Sequence, residues 1–186
     1  MTIGPDCFMI DPEYRAFQLT GVTSGTVCEL GCKGFGRTKA AFERHGWRHT
    51  SIDLNGLGGA LALDLTVPID VKSIEGPFDV VTNFGTSEHV EGQLECWRNI
   101  YRLCKTGGYI VCCTPWNWPK HGKYYPSDEW YRQFGELNDM GIKSILPVLG
   151  GKLIAATFKK MVNGVFRMPS MDLMKVQESK KTGAYV

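Results

Sequence analysis

Short apolar and β-branched runs alternate along this chain with stretches whose apolar positions recur every three or four residues. Residues 26–30, 47–53, 60–65, 78–83 and 109–114 read as strands. Between them lie helical patterns. Asp11, Pro12 and Glu13 form a cap, first position and acidic first turn, followed by Tyr14, Phe17 and Leu19 on one face before Gly21. A second helix is expected over 37–45, stopped by Gly46. Over 87–105 the positions Val90, Leu94, Trp97, Ile100, Tyr101, Leu103 and Cys104 keep helical spacing, and Gly107 and Gly108 supply a stop. The spacing predicts a last helix over 127–140, ending at Gly141.

Strands alternating with helices imply a parallel sheet with crossover helices, an α/β class. Two further apolar runs, 142–149 and 153–158, are separated only by Gly150, Gly151 and Lys152. A parallel crossover needs a dozen or more residues, so this pair is antiparallel. Asn163 and Gly164 give a second hairpin signal, and beyond Pro169 the periodicity fades. The expected organisation is one domain over residues 1–168 and a flexible tail over 169–186.

Composition narrows the classes without naming one. With 186 residues and 43% hydrophobic content, one core is the default. The formal charge of +2, from 21 basic and 19 acidic residues, is too balanced for a dedicated nucleic-acid or membrane-surface binder. No apolar run is long enough to span a bilayer, and the first ten residues lack a secretory layout, so the expected location is cytoplasmic. Seven cysteines, with Cys28, Cys112 and Cys113 in strand-like runs, read as reduced core residues. Cys28 and Cys32 have no second Cys/His pair at zinc-ligand spacing, so no metal is expected.

The chemistry gathers where the first strand ends. Gly31, Gly34 and Gly36 follow it at once, a turn whose amides can approach a dinucleotide, a phosphate or an adenosine-bearing cofactor closely. Asp53 ends the second strand, 22 residues after Gly31, where a carboxylate can accept from both hydroxyls of a ribose. Asp64, near the end of the third, offers an acceptor to an exocyclic amine at the same sheet edge.

In order, Glu29, Leu30, Gly31, Cys32 with Gly34, Phe35, Gly36; then Ile52, Asp53, Leu54; then Asp64, Leu65; then Phe78 to Val81 leading through Asn83 to Glu88, His89, Val90; then Arg98 to Leu103 with Lys105, Gly107 and Gly108 form a series of motifs. From Val27 to Phe158 the chain resembles the Rossmann-like S-adenosylmethionine-dependent methyltransferases, especially those acting on small molecules, lipids and sugars. The resemblance implies a three-layer sandwich with strand order 3-2-1-4-5, closed by the antiparallel pair. It implies that Glu29, Gly31, Cys32, Gly34 and Gly36 surround the methionine portion of the cofactor. Asp53 and Leu54 would meet the ribose, Asp64 and Leu65 the adenine, and Asn83, Phe84 and Gly85 the sulfonium side. One departure is Lys33, inserted where the family alternates acid and glycines, so which glycine touches the cofactor stays open.

Methyl transfer is an in-line displacement that needs orientation, exclusion of water and, for some acceptors, proton removal. His89, after the fourth strand, and His121, in the aromatic loop after the fifth, are the candidate bases. Trp116 and Tyr124 of that loop are candidate acceptor contacts. Residues 83–86 lack the paired prolines and aromatic of enzymes that methylate base amines, and no Pro-Cys nucleophile occurs there. The expected acceptor is a small molecule or glycan-like compound with a hydroxyl or amine. The alternatives are a cofactor-binding but inactive regulatory or scaffold subunit, and a nicotinamide-dependent oxidoreductase. The sequence leaves the oligomeric state open.

Overall fold

The structure, a computed structural model, describes residues 11–32 and 37–178. Parallel strands β1 (Gly25–Leu30), β2 (Trp47–Asp53), β3 (Leu61–Ala62), β4 (Phe78–Phe84) and β5 (Cys104–Pro115) lie in the order β3-β2-β1-β4-β5. Two later strands, β7 (Met140–Val148) and β8 (Leu153–Lys160), extend the sheet as an antiparallel pair, with β8 against β5 and β7 at the edge. The order and the antiparallel end are those expected. The link between β7 and β8 turns through Leu149, Gly150 and Gly151, all at positive φ.

The central strands are buried on both faces, which is why they read as continuous apolar runs. Alternate residues divide between two cores. Cys28, Val81, Ile110 and Cys112 face Trp97, Trp130, Tyr131 and Phe134 from α3 (Gln93–Leu103) and α4 (Asp128–Leu137). Val27, Val80, Val111 and Cys113 face Phe17 of α1 (Asp11–Gln18), Phe42 of α2 (Arg37–Arg44) and Trp47. Ser127 caps α4 by accepting from the Trp130 amide at 3.0 Å.

Several boundaries differ from the sequence reading: β5 already begins at Cys104, where the third helix is expected to run to 105, and α4 ends at Leu137 rather than 140. β3 has two residues rather than the expected 60–65, because the Asp64 side chain accepts from the Thr66 amide at 2.7 Å and turns the chain. The helix expected from 87 begins at Gln93, after a 3-10 turn over Ser87–His89. There the Gln93 amide group donates to the Ser87 and Val90 carbonyls at 2.7 and 2.6 Å, taking acceptors that a continuous helix would use. The Asn163–Gly164 signal joins no two strands. Tyr101 accepts from the Gly164 amide, and Asn138 holds the Arg167 backbone through both its N–H and C=O, so this segment is tied to α3 and α4 instead.

The stretch beginning at Pro169 departs from the expected loose tail as far as residue 178. Met174–Val176 forms β9, antiparallel to β6 (Tyr124–Pro126) in the loop after β5, and Met174 is buried. Three residues, with one side chain, Met174, reaching the core, are too few to show a period. Among the described residues no helix is long and apolar enough to cross a membrane.

Candidate active site

The C-terminal ends of β1, β2 and β4 enclose a cavity of about 250 Å³, and those of β1, β4 and β5 a neighbouring one of about 280 Å³. Both are lined by Gly31, Gly85 and Thr86, so the two spaces meet at one wall. Open α/β sheets bind ligands at this edge, where strands diverge on either side of β1.

Gly31 sits at φ +77°, and a Cβ there would stand 2.5 Å from Thr86 Oγ1. Glycine is required on both counts. Its amide donates to the Ile52 carbonyl at 2.8 Å, while Thr86 Oγ1 donates to the Leu30 carbonyl at 2.6 Å, clamping the end of β1 to β2 on one side and to the turn after β4 on the other. Asp53 accepts from the Cys32 amide at 2.9 Å with one carboxylate oxygen and from Asn55 at 3.2 Å with the other. The carboxylate is thereby set at the mouth of the first cavity, whose wall also includes Leu54, Asp64 and Leu65. Asn99, wholly buried on α3, donates to the Leu65 and Val67 carbonyls and accepts from Ile69, which fixes that wall from behind.

Glu29 has a different environment from the one its motif implies. Its carboxylate lies 3.1 Å from Nε2 of buried His49, with Phe42 stacked on the imidazole, and it lies outside the lining of both cavities. Asn83 is also behind the wall. It donates to Ser87 Oγ at 2.7 Å and accepts from the Ser87 amide at 3.0 Å, shaping the turn that presents Phe84 to the second cavity and Gly85 to both. Gly34 and Gly36 lie outside the described residues.

His89 lines the first cavity and His121 the second, with ring centroids 5.6 Å apart. Buried Glu88 stands between them, its Oε1 3.6 Å from His89 Nε2 and 3.7 Å from His121 Nε2. The loop carrying His121 is pinned to this turn. The Lys123 amide donates to the Glu88 carbonyl at 2.9 Å, and Gly122 packs flat on the Glu88 side chain. The hydroxyl of buried Tyr125 accepts from the amides of His121 and Gly122, at 3.0 Å each, and donates to the Trp118 carbonyl. Trp118 in turn stacks on His121, centroids 4.3 Å apart.

Of the two aromatics singled out in that loop, neither lines a cavity. Trp116 packs on the core, and the Tyr124 hydroxyl donates to Glu91. Lys123 and Tyr124 hold the Glu91 carboxyl below its usual range by hydrogen bonding. Trp118 and Glu13 line the second cavity instead. Glu88, Trp118 and Tyr125 were not singled out as site residues by the sequence, whereas Thr86 belongs to the stretch from Asn83 that the resemblance places on the sulfonium side. Glu88 had a signal, adjacency to His89 in one motif, whereas Trp118 and Tyr125 take their places from the way the loop after β5 folds on itself, which no periodicity marks.

This sheet order, with a two-part cleft on either side of the end of β1, is a Rossmann-like α/β architecture. A methyltransferase domain model matches residues 8–142, and the chain belongs to that family. The family assignment replaces the nicotinamide alternative. Solved structures share the fold at low identity. The 1,6-didemethyltoxoflavin N1-methyltransferase of Burkholderia thailandensis, holding its substrate and S-adenosylhomocysteine, is 16% identical with TM-score 0.60, over 85% of this chain and 80% of that one. An S-adenosylmethionine-dependent methyltransferase of Aquifex aeolicus is 16% identical at TM-score 0.55, covering 83% and 93%. The N-methyltransferase NodS of Bradyrhizobium japonicum, with S-adenosylhomocysteine, is 16% identical at TM-score 0.50, covering 86% and 94%. No curated protein matches by sequence.

Proposed function

We propose that the chain transfers a methyl group from S-adenosylmethionine to a hydroxyl or amine of a small-molecule or glycan-like acceptor, with cofactor in the first cavity and acceptor in the second. The observation that carries this reading is the shared wall of Gly31, Gly85 and Thr86, through which two ligands can meet end to end. The second cavity, about 280 Å³, is of a size that suits a small acceptor. The similar structures include enzymes described as acting on a toxoflavin precursor and as an N-methyltransferase, which fits an acceptor of this size.

The bound cofactor supplies an electrophilic methyl on a sulfonium. Asp53, already oriented by Cys32 and Asn55, accepts from the ribose hydroxyls, and Gly31 lets the methionine portion pass close to the backbone. His89 and His121 are the groups positioned to take a proton from the acceptor, and Trp118 stacks on the His121 ring. Cytoplasmic location belongs to the same reading, and so does an acceptor other than nucleic acid.

The cofactor half is tested by calorimetry with S-adenosylhomocysteine. Asp53→Ala should weaken binding about 10- to 100-fold through loss of charge-assisted hydrogen bonds. Equal affinity in the variant would remove Asp53 from the site. The acceptor half is tested by screening hydroxyl and amine compounds with labelled S-adenosylmethionine. His121→Ala and Trp118→Ala should each lower turnover while cofactor affinity stays within about threefold, since positioning is lost and not binding. Absence of turnover on every acceptor, with cofactor bound, would favour the inactive scaffold reading. Methylation of tRNA or DNA with steep salt dependence would refute the small acceptor.

A further inference from the structure

Glu88, His89 and His121 form, among the described residues, a group whose three ligand atoms all lie within 4.8 Å of one another. We propose that these side chains bind a divalent transition-metal ion, of the zinc, cobalt or manganese class, at the junction of the two cavities.

The spacing carries the argument first. At 3.6 and 3.7 Å, Glu88 Oε1 is too far from either Nε2 for a direct hydrogen bond. Around a four-coordinate ion with bonds of about 2.0–2.1 Å, adjacent ligands stand roughly 3.4 Å apart. The two distances from Glu88 already lie within a few tenths of an ångström of that value, and the third side, between the two histidines, is within 4.8 Å, so side-chain rotations that move atoms by about 1 Å bring the three onto one centre. Two imidazole nitrogens with one carboxylate oxygen select a borderline transition ion over calcium or magnesium, which take oxygen ligands.

The placement of the ligands is the second argument. His89 and Glu88 come from the short turn after β4, whereas His121 arrives from the loop after β5 and is held there by a set of specific contacts. Trp118 stacks on its ring, the Tyr125 hydroxyl holds its amide, and Gly122 provides the flat contact that lets the loop lie on Glu88. Such supporting contacts orient metal ligands in general. Because His89 lines one cavity and Glu88 and His121 the other, the open coordination positions face the meeting point.

This rests on the transfer reading above but changes the part played by His89 and His121, whose lone pairs the ion would occupy: the ion, not an imidazole, would bind the acceptor hydroxyl and lower its pKa, so that the proton leaves to water. The resulting oxygen then attacks the methyl carbon, the sulfur–carbon bond breaks with its electron pair going to sulfur, and a methyl ether and a thioether result. This selects a hydroxyl over an amine acceptor, whose lone pair the ion would occupy.

The test is a titration of tag-free, chelator-treated protein with cobalt chloride, read by visible absorption and calorimetry, and then with zinc chloride. One ion per chain is expected, and Glu88→Gln, His89→Ala and His121→Ala should each weaken binding by about 100-fold or more, at least the cost of losing an outer-shell contact. Circular dichroism and an unchanged melting temperature of metal-free His121→Ala show that a loss is not misfolding. Absence of binding at about 100 μM cobalt, or binding untouched by all three substitutions, would overturn the site. Turnover on a hydroxyl acceptor should fall with chelator and return with zinc or manganese. Metal binding with chelator-insensitive turnover overturns the role in transfer and leaves the site standing. Failure of S-adenosylhomocysteine to bind would count against the methyltransferase assignments above and not against the ion.

Discussion

Replacing Gly122 by alanine is expected to lower turnover about 100-fold while leaving cofactor affinity within about threefold. A Cβ at this position would fall 2.4 Å from Glu88 Cγ, 2.8 Å from its Cβ and 3.2 Å from its carbonyl oxygen. Glu88 cannot yield, because it is fully buried and its own backbone carbonyl is tied to the Lys123 amide. The loop must lift instead. That movement breaks the Lys123 contact and displaces the amides of His121 and Gly122 from the Tyr125 hydroxyl, so His121 and Trp118 shift together. A displacement of about 1 Å at a reacting group is enough for a loss of this size. Overpacking also costs about 1–3 kcal/mol of stability, visible in a urea melt. Gly31, Asp53 and Asp64 belong to other elements, so S-adenosylhomocysteine should bind as before. Unchanged turnover in a folded Gly122→Ala protein would show that the loop does not position the reaction.

The second large effect concerns alkaline stability. Burial pushes the thiols of Cys104 and Cys112 up to about 12. It raises Cys28 and Cys96 further still, with smaller contributions from the neighbouring charges of Glu29 and Glu88. In an unfolded chain these thiols ionise near pH 8.5–9. Their contribution is thus fully present below that range and is lost as pH rises toward the folded values, because the unfolded state sheds protons that the folded state keeps. Each thiol removes about 1.4 kcal/mol per pH unit, so four remove about 5 kcal/mol per unit. Buried Tyr131, also raised by burial, adds to the fall at higher pH. Lys160 acts in the opposite sense. Its ammonium, donating to the Tyr101 and Cys104 carbonyls, is lowered by burial, so stability rises through its window up to about pH 10.5, one group against four. For a domain with about 5–15 kcal/mol in total, unfolding should set in within two units above pH 9. Urea midpoints at pH 8, 9 and 10 under reducing conditions measure it, and Cys112→Ala should make the slope shallower. A midpoint constant from pH 8 to 10 would contradict the burial of these thiols.

The fold was legible because each of its rules is local. The runs around Val27, Val80 and Ile110 are apolar on both faces, which signals buried parallel strands, and the three-residue link after Leu149 leaves only an antiparallel return. The sequence also pointed to Asp53 and Asp64 at the ends of apolar runs, and both line the first cavity, although β3 itself stops at Ala62, short of Asp64. The reading faltered where a side chain competes with the backbone. Asp64 shortens β3, and Gln93 interrupts what periodicity presents as one helix from Ser87.

The sequence by itself determined the α/β class, the strand order implied by its motifs, and the strand ends at which a cofactor is read. Periodicity, turn chemistry and chain length constrain these within a few residues. Only the tertiary structure decided which polar groups converge. Glu29 turns to His49, Trp116 to the core and Tyr124 to Glu91, while Thr86, Glu88, Trp118 and Tyr125 meet around the cleft. It also decided that Met174–Val176 folds back to secure the loop bearing His121. Some of these contacts join residues 20 and 56 positions apart and others lie within one loop, and in both cases their geometry follows from how strands and loops pack rather than from any spacing along the chain.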